Sequence, residues 1–285
     1  MKQRLISIAA AFVLLAAALV WFDTLVPNIM MAAIAALAVF EVLRAYKLHE
    51  NLFFDIAFIS FAVTTVVFEL ATKPYFSAML AGLIFVVFTV ALLSKKKKYT
   101  VAALGAVLLA TLTVSLGFNA LLFPRTYTPY VGDWRFMLLI ALALGWIGDT
   151  CAFFTGRAFG KRKLCPEISP NKTVAGAIGS IVGTPLFIVA SFFVYSVLDR
   201  QTAFGGFKGD PLAIGFVFLM GVIGAVVGML GDLAASYIKR ECGIKDFGNI
   251  MPGHGGAMDR IDSVMFTGVF SAACFYLYFT LFVAF

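Results

Sequence analysis

A chain of 285 residues, 62% of them hydrophobic and only 13% charged, is not built as a soluble domain. Ordinary soluble domains are roughly 45–50% apolar and about 25% charged, so most of this surface must meet lipid. The formal net charge of +7 reads as membrane-flanking loops that obey the positive-inside bias, and no nucleic-acid surface is expected. A backbone that crosses lipid has to satisfy its own hydrogen bonds, which predicts an all-α, polytopic bundle.

A spanning helix needs about 20 mainly apolar residues. Nine segments meet that length, near 5–22, 26–43, 52–71, 75–94, 100–123, 135–155, 174–197, 211–238 and 263–284. The first carries Lys2 and Arg4 ahead of it and small residues near Ala16 and Ala18, a weak cleavage pattern. With spans following all along the chain, it is expected to remain as an uncleaved helix. The eighth segment is longer than a bilayer requires, so its end is expected to project. Residues 1–123 read as a nearly featureless scaffold of five helices, and 124–285 as a catalytic region with polar loops at 156–173 and 239–262.

Basic residues set the orientation. One set of connections holds 17 of the 22 Lys and Arg residues, including Lys95 to Lys98, Arg157, Lys161 to Lys163, Lys239 and Arg240. The other holds five: Lys73, Arg125, Arg135, Arg200 and Lys208. The N-terminus and both polar loops are therefore expected in the cytoplasm, and the C-terminus in the periplasm. The four cysteines (Cys151, Cys165, Cys242 and Cys274) form no CxxC pair and read as reduced thiols. Glu41, Asp55 and Glu69 are expected near span ends or in helix contacts, Glu69 being the deepest and the least explained. His49 reads as solvated.

Asp232 stands out, near the end of the eighth segment in Gly-Met-Leu-Gly-Asp-Leu-Ala-Ala-Ser (228–236). A carboxylate at membrane depth costs a few kcal/mol and needs a partner. On a helix Asp232, Ser236, Lys239 and Arg240 share a face. A structural salt bridge and a functional site both fit. The loop that follows, Cys242 to Ile261 with Asp262 after it, holds five glycines, among them Gly255 and Gly256, whose backbone N–H groups suit close approach to an anion. Lys245, His254 and Arg260 suit phosphate oxygens, whereas Asp246, Asp259 and Asp262 are hard donors of the kind Mg²⁺ takes beside substrate phosphates. Upstream, Ser169-Pro-Asn-Lys172-Thr173 offers a turn full of phosphate donors, and Asp149 is a second near-membrane carboxylate with a metal, Lys172 or Arg157 as its partner. Lys161 to Lys163 fit either a phosphate site or anionic headgroups. The polar groups gather at one face without a visible repeat, unlike transporters, whose sites lie near the midplane.

Two blocks carry a family resemblance. The stretch Ser236-x-Ile-Lys239-Arg240, Lys245-Asp246-x-Gly248 and Pro252-Gly-His254-Gly255-Gly256-x-Met-Asp259-Arg260-Ile-Asp262 resembles the signature of phosphatidate cytidylyltransferases. Asp149-Thr, Gly156-Arg157, Phe-Gly-Lys161 and Ile-Ser169-Pro-x-Lys172-Thr173 are similar to a second block of that family. Met251 and Ala257 depart from it by size alone. The resemblance implies that CTP and phosphatidic acid react to give CDP-diacylglycerol and pyrophosphate, with Mg²⁺ and with potassium as a candidate second cation. It also implies metal binding by Asp232 and Asp259, with Asp149 and Asp262 as further candidates, and a homodimer in the inner membrane. Catalytic roles then fall to Asp232, Lys239, Asp246, His254 and Asp259. Substrate binding falls to Lys161, Ser169, Lys172, Thr173, Ser236, Arg240, Lys245, Gly255, Gly256 and Arg260. Replacing Asp259 by asparagine is expected to abolish turnover and leave folding intact. A CTP-dependent polyprenol or phytol kinase is the nearest alternative, and an ion-coupled transporter a distant one.

Overall fold

The computed structural model describes residues 15–94, 99–127, 134–198, 211–248 and 255–282. They form helices α1 (Val26–Ala45), α2 (Leu52–Val67), α3 (Tyr75–Ser94), α4 (Val101–Leu122), α5 (Trp134–Phe159), α6 (Val174–Leu198), α7 (Pro211–Glu241) and α8 (Met258–Phe282). Seven of these are long and apolar enough to cross a membrane; α2, with 16 residues, is shorter. The chain is thus the expected all-α polytopic membrane protein. Most of the first predicted span, 5–22, lies outside the described residues, although residues 15–20 are helical.

The 156–173 stretch is not all loop. Helix α5 continues to Phe159, and strands β1 (Lys163–Cys165) and β2 (Ser169–Thr173) then pair antiparallel as a small hairpin before α6. Helix α2 stops short of its predicted end because Glu69 adopts left-handed backbone (φ 51°), and a single 3₁₀ turn over Leu70–Thr72 follows. Helix α8 begins five residues before the predicted 263, so Asp259 and Asp262 both lie in its opening turns. Helix α7, at about 1.5 Å per residue, is some 46 Å long against a hydrocarbon core of about 30 Å.

The chain packs as two compact units. The first comprises residues 1–119 and 238–261. In it α1 and α2 form a tight hairpin over buried Phe22, Leu43, Leu48, Phe54 and Phe58. Asn51 caps α2 by accepting the Phe53 N–H at 3.2 Å. At the opposite end, buried Asn28 donates to the Glu69 carboxylate at 2.9 Å and to the Val67 carbonyl at 3.1 Å, which gives the half-buried acid after α2 a partner; Glu41, not Glu69, is the more buried acid of this half. Helix α3 buries only Leu83 and Val87, as a helix wrapped by acyl chains would.

The second unit comprises residues 120–237 and 262–285. Its core joins Phe136, Ile140 and Leu144 of α5 to Ile188 and Phe192 of α6, Val217 and Met220 of α7, and Phe275 of α8. Phe136 stacks on Tyr195 with ring centres 4.3 Å apart. Nearer the hairpin, α5 and α6 approach through small residues, the usual solution where no hydrophobic force drives helices together in lipid. A Cβ on Gly176 would stand 2.7 Å from the Ala152 carbonyl oxygen, and one on Gly156 would stand 2.8 Å from Thr173 Oγ1. Gly176→Ala must therefore push the backbones of α5 and α6 apart. It is expected to lower stability by about 1–3 kcal/mol, read as a lower melting temperature in detergent. Gly82→Ala, with nothing within 4 Å of the new methyl, should be neutral or better.

Candidate active site

In the second unit α5, the hairpin, α6 and α7 enclose a cavity of about 520 Å³. Helix α5 contributes Asp149, Phe153, Gly156 and Arg157; the hairpin contributes Lys163, Ser169, Asn171, Lys172 and Thr173. Gly176 and Ala177 of α6 and Met229 and Asp232 of α7 close the wall. Small residues on α5 and α6 leave room for this space, and the turn after α5 folds the polar strand β2 back over it.

Asp232 finds its ion partner across the unit. Lys172 Nζ lies 2.8 Å from Asp232 Oδ2 and also donates to the Met229 carbonyl at 3.2 Å. The shared helix face supplies a weaker contact, with Ser236 Oγ donating to Asp232 Oδ1 at 3.4 Å. The side chains of the pair keep 19% and 28% of their surface, so both face the cavity and remain open to a ligand. Asp149 Oδ2 accepts from Ser263 Oγ at 3.0 Å, and the neighbouring Asp262 is buried, its Oδ1 accepting the Ser263 N–H at 2.8 Å. Among the described residues no three of His, Cys, Asp and Glu gather closely enough to hold a metal unaided. Mg²⁺ typically takes one or two carboxylates and completes its shell with phosphates and water. Asp149 and Asp232, which line the same cavity as the cationic Arg157, Lys163 and Lys172, fit that habit.

The glycine-rich segment belongs to the first unit and is built around Asp259. Lys239 Nζ reaches Asp259 Oδ1 at 2.7 Å, while the Phe247 and Gly256 N–H groups donate to Oδ2 at 2.9 and 3.0 Å. The carboxylate keeps 4% of its surface and the Lys239 side chain 11%. The ammonium also lies 5.6 Å from the centre of the Phe247 ring. Gly255, at φ +82°, holds a left-handed conformation that L side chains rarely adopt. From α1, Glu41 accepts the Met258 N–H at 2.9 Å, and Arg44 donates to the Phe247 carbonyl at 2.8 Å. Beyond α1, Tyr46 donates its hydroxyl to Glu241 at 3.0 Å, and burial followed by that carboxylate pushes its phenol well above the ordinary range.

Residues 2–280 match the model of the cytidylyltransferase family. The chain belongs to that family. The phosphatidate cytidylyltransferase of Bacillus subtilis is 32% identical to this chain over 276 residues, which cover 93% of the chain and 94% of the relative. That of Haemophilus influenzae is 41% identical over 158 residues, 55% of this chain and 49% of its own length. That of Staphylococcus haemolyticus is 40% identical over 129 residues, 45% of each. The match thus spans about half of the Haemophilus and Staphylococcus enzymes and nearly all of the Bacillus one.

The site residues predicted from the sequence fall into sets. Asp149, Ser169, Lys172, Thr173 and Asp232 line the cavity, with Ser236 behind Asp232. Lys239, Gly256 and Asp259 form the buried lock of the glycine-rich segment. Lys161, Arg240, Lys245, Asp246 and Arg260 are exposed, and Arg240 donates to the Ile244 carbonyl at 3.3 Å. His254 lies outside the described residues. Sequence reasoning left Glu41 as an unremarkable span-end acid and did not single out Arg44. Their signal was slight: two charged residues three apart at the end of an otherwise apolar helix.

Proposed function

We propose that this cytidylyltransferase transfers the cytidylyl group of CTP to phosphatidate, giving CDP-diacylglycerol and pyrophosphate at the cytoplasmic face of the inner membrane. Family membership names the chemistry. The observation that carries its location is the cavity of the second unit, where Asp149 and Asp232 face Lys172, Lys163, Arg157 and Ser169 in a space of nucleotide size. The excess of basic residues in the loops on the hairpin's side supports the cytoplasmic assignment.

A phosphate oxygen of phosphatidate attacks the α-phosphorus of CTP in line. The bond from that phosphorus to the bridging oxygen breaks, and pyrophosphate leaves with the electron pair. Positioning and charge neutralisation supply most of the acceleration. Lys172 Nζ is held by the Met229 carbonyl and the Asp232 carboxylate, which leaves its third N–H for a phosphate oxygen; Ser169, Asn171 and Lys163 add donors around it. Asp149 and Asp232 would hold Mg²⁺, which when bound draws the two anions together and neutralises the leaving group. Asp259 has three donors already, and we assign it to holding the glycine-rich segment through Lys239, Phe247 and Gly256. The homodimer implied by the family resemblance belongs to the same proposal.

Product analysis tests the reaction. Purified protein given α-labelled CTP, phosphatidate and Mg²⁺ should place label in lipid and release one pyrophosphate per labelled lipid. Chelation by EDTA should stop the reaction and added Mg²⁺ should restore it. Release of labelled CDP with a phosphorylated lipid alcohol would replace the reading with a lipid kinase.

A further inference from the structure

Glu41 sits in an apolar helix, is 1% exposed, and belongs to no portion of the cavity described above. Burying a carboxylate carries a penalty of several kcal/mol unless it is well satisfied. Among the described residues only one of its oxygens is: Oε2 accepts the Met258 N–H, and Oε1 has no hydrogen-bond partner. The acceptor serves a backbone donor that the start of α8 leaves without an intrahelical partner. Gly248 and Gly256 press against the same carboxylate so closely that a Cβ on either would collide with it. One turn along α1, Arg44 grips the Phe247 carbonyl. Glu41 and Arg44 therefore hold Phe247 and Gly248 together with Gly256 and Met258, and Asp259 holds the same two stretches through Phe247 and Gly256.

We infer that Glu41, seconded by Arg44, is a positioning residue for cytidylyl transfer: it sets the register of the glycine-rich segment from a helix that otherwise serves as scaffold. Its work is geometric. It provides an acceptor of one length at one place, and a negative charge is not what the site needs. This inference rests on the cytidylyltransferase reading above.

The test compares Glu41→Gln, Glu41→Asp and Glu41→Ala in the purified full-length protein by kcat, KM for CTP and melting temperature. The glutamine keeps an oxygen for the Met258 N–H and puts its nitrogen where an unpartnered oxygen stood, so kcat should stay near wild type. Aspartate is one methylene too short and alanine has no acceptor. Both should lower kcat by about 10–100-fold, the scale of a small misplacement, with KM for CTP little changed. Arg44→Ala should lower kcat in the same sense and keeps the inference open to refutation if a Glu41 variant fails to fold. Wild-type kcat in Glu41→Ala or Arg44→Ala would overturn it, as would equal losses in Glu41→Gln and Glu41→Ala, or losses that follow melting temperature alone. An inactive wild-type protein would overturn the cytidylyltransferase reading itself, a result visible before any variant is made.

Discussion

Asp232→Asn should lower kcat by about 1000-fold, the scale of losing a preorganised electrostatic group at a reacting phosphate, while the protein still inserts and melts near the wild-type temperature. The cavity has Asp149 and Asp232 as its carboxylates, and asparagine removes one of the two charges that would hold a divalent ion. Folding depends little on that charge. The Lys172–Asp232 pair keeps 19% and 28% of its side-chain surface. Water screens such a pair, so its loss should alter stability by about 1 kcal/mol or less. Steady-state turnover and a thermal melt on one preparation check both halves of this expectation. Lys172→Ala should lose activity as well, but with some of the loss in KM for CTP, because its ammonium is placed to bind phosphate in the ground state too.

Asp259→Asn should behave differently. Its carboxylate accepts from Lys239, the Phe247 N–H and the Gly256 N–H, and only 4% of its surface is exposed. Asparagine has one acceptor oxygen. Whichever way the amide turns, its NH₂ meets either the Lys239 ammonium or two backbone donors. Breaking a buried pair on one side is expected to cost about 3–5 kcal/mol, and the glycine-rich segment loses its lock. The variant should be inactive and should also melt well below wild type. The sequence alone suggested lost turnover with intact folding, because nothing in it reveals how deeply the Lys239–Asp259 pair is buried. A melt that matches wild type would show that Asp259 is not the lock described above.

Much of the fold was legible because lipid simplifies the problem. Long apolar runs bounded by charge give α1, α3, α4, α6 and α7 nearly residue for residue. The errors fall where local chemistry overrides hydropathy. Asp259, Arg260 and Asp262 disguised the first turns of α8 as loop, although an acid in the first turn suits a helix N-terminus. The strands of the hairpin are short and mostly polar, so no alternation betrayed them. Glu69 in left-handed backbone ends α2 early, a conformation uncommon for a non-glycine residue.

The site was legible to the extent that polar residues in a membrane protein need reasons. Asp149, Asp232, Ser169, Lys172 and Thr173 were marked by that need, and they line one cavity. Their pairing was not. A shared helix face pointed Asp232 towards Ser236, Lys239 and Arg240, yet the ion pair is with Lys172, 60 positions away and on the hairpin. Glu41 and Arg44 were passed over for the same reason: they meet Met258 and Phe247 across more than 200 residues of chain, a distance that periodicity cannot bridge.

One labelling experiment bears most directly on the cavity as the nucleotide site. Asn171 lines it and is exposed. Asn171→Cys, in a protein whose Cys151, Cys165, Cys242 and Cys274 are replaced by alanine, can be treated with a membrane-impermeant maleimide in inside-out vesicles. Rapid labelling that CTP with Mg²⁺ suppresses, and that ATP with Mg²⁺ does not, is the expected result. Labelling that is indifferent to CTP, or that occurs only from the periplasmic side, would contradict a cytidylyl-transfer site in this cavity.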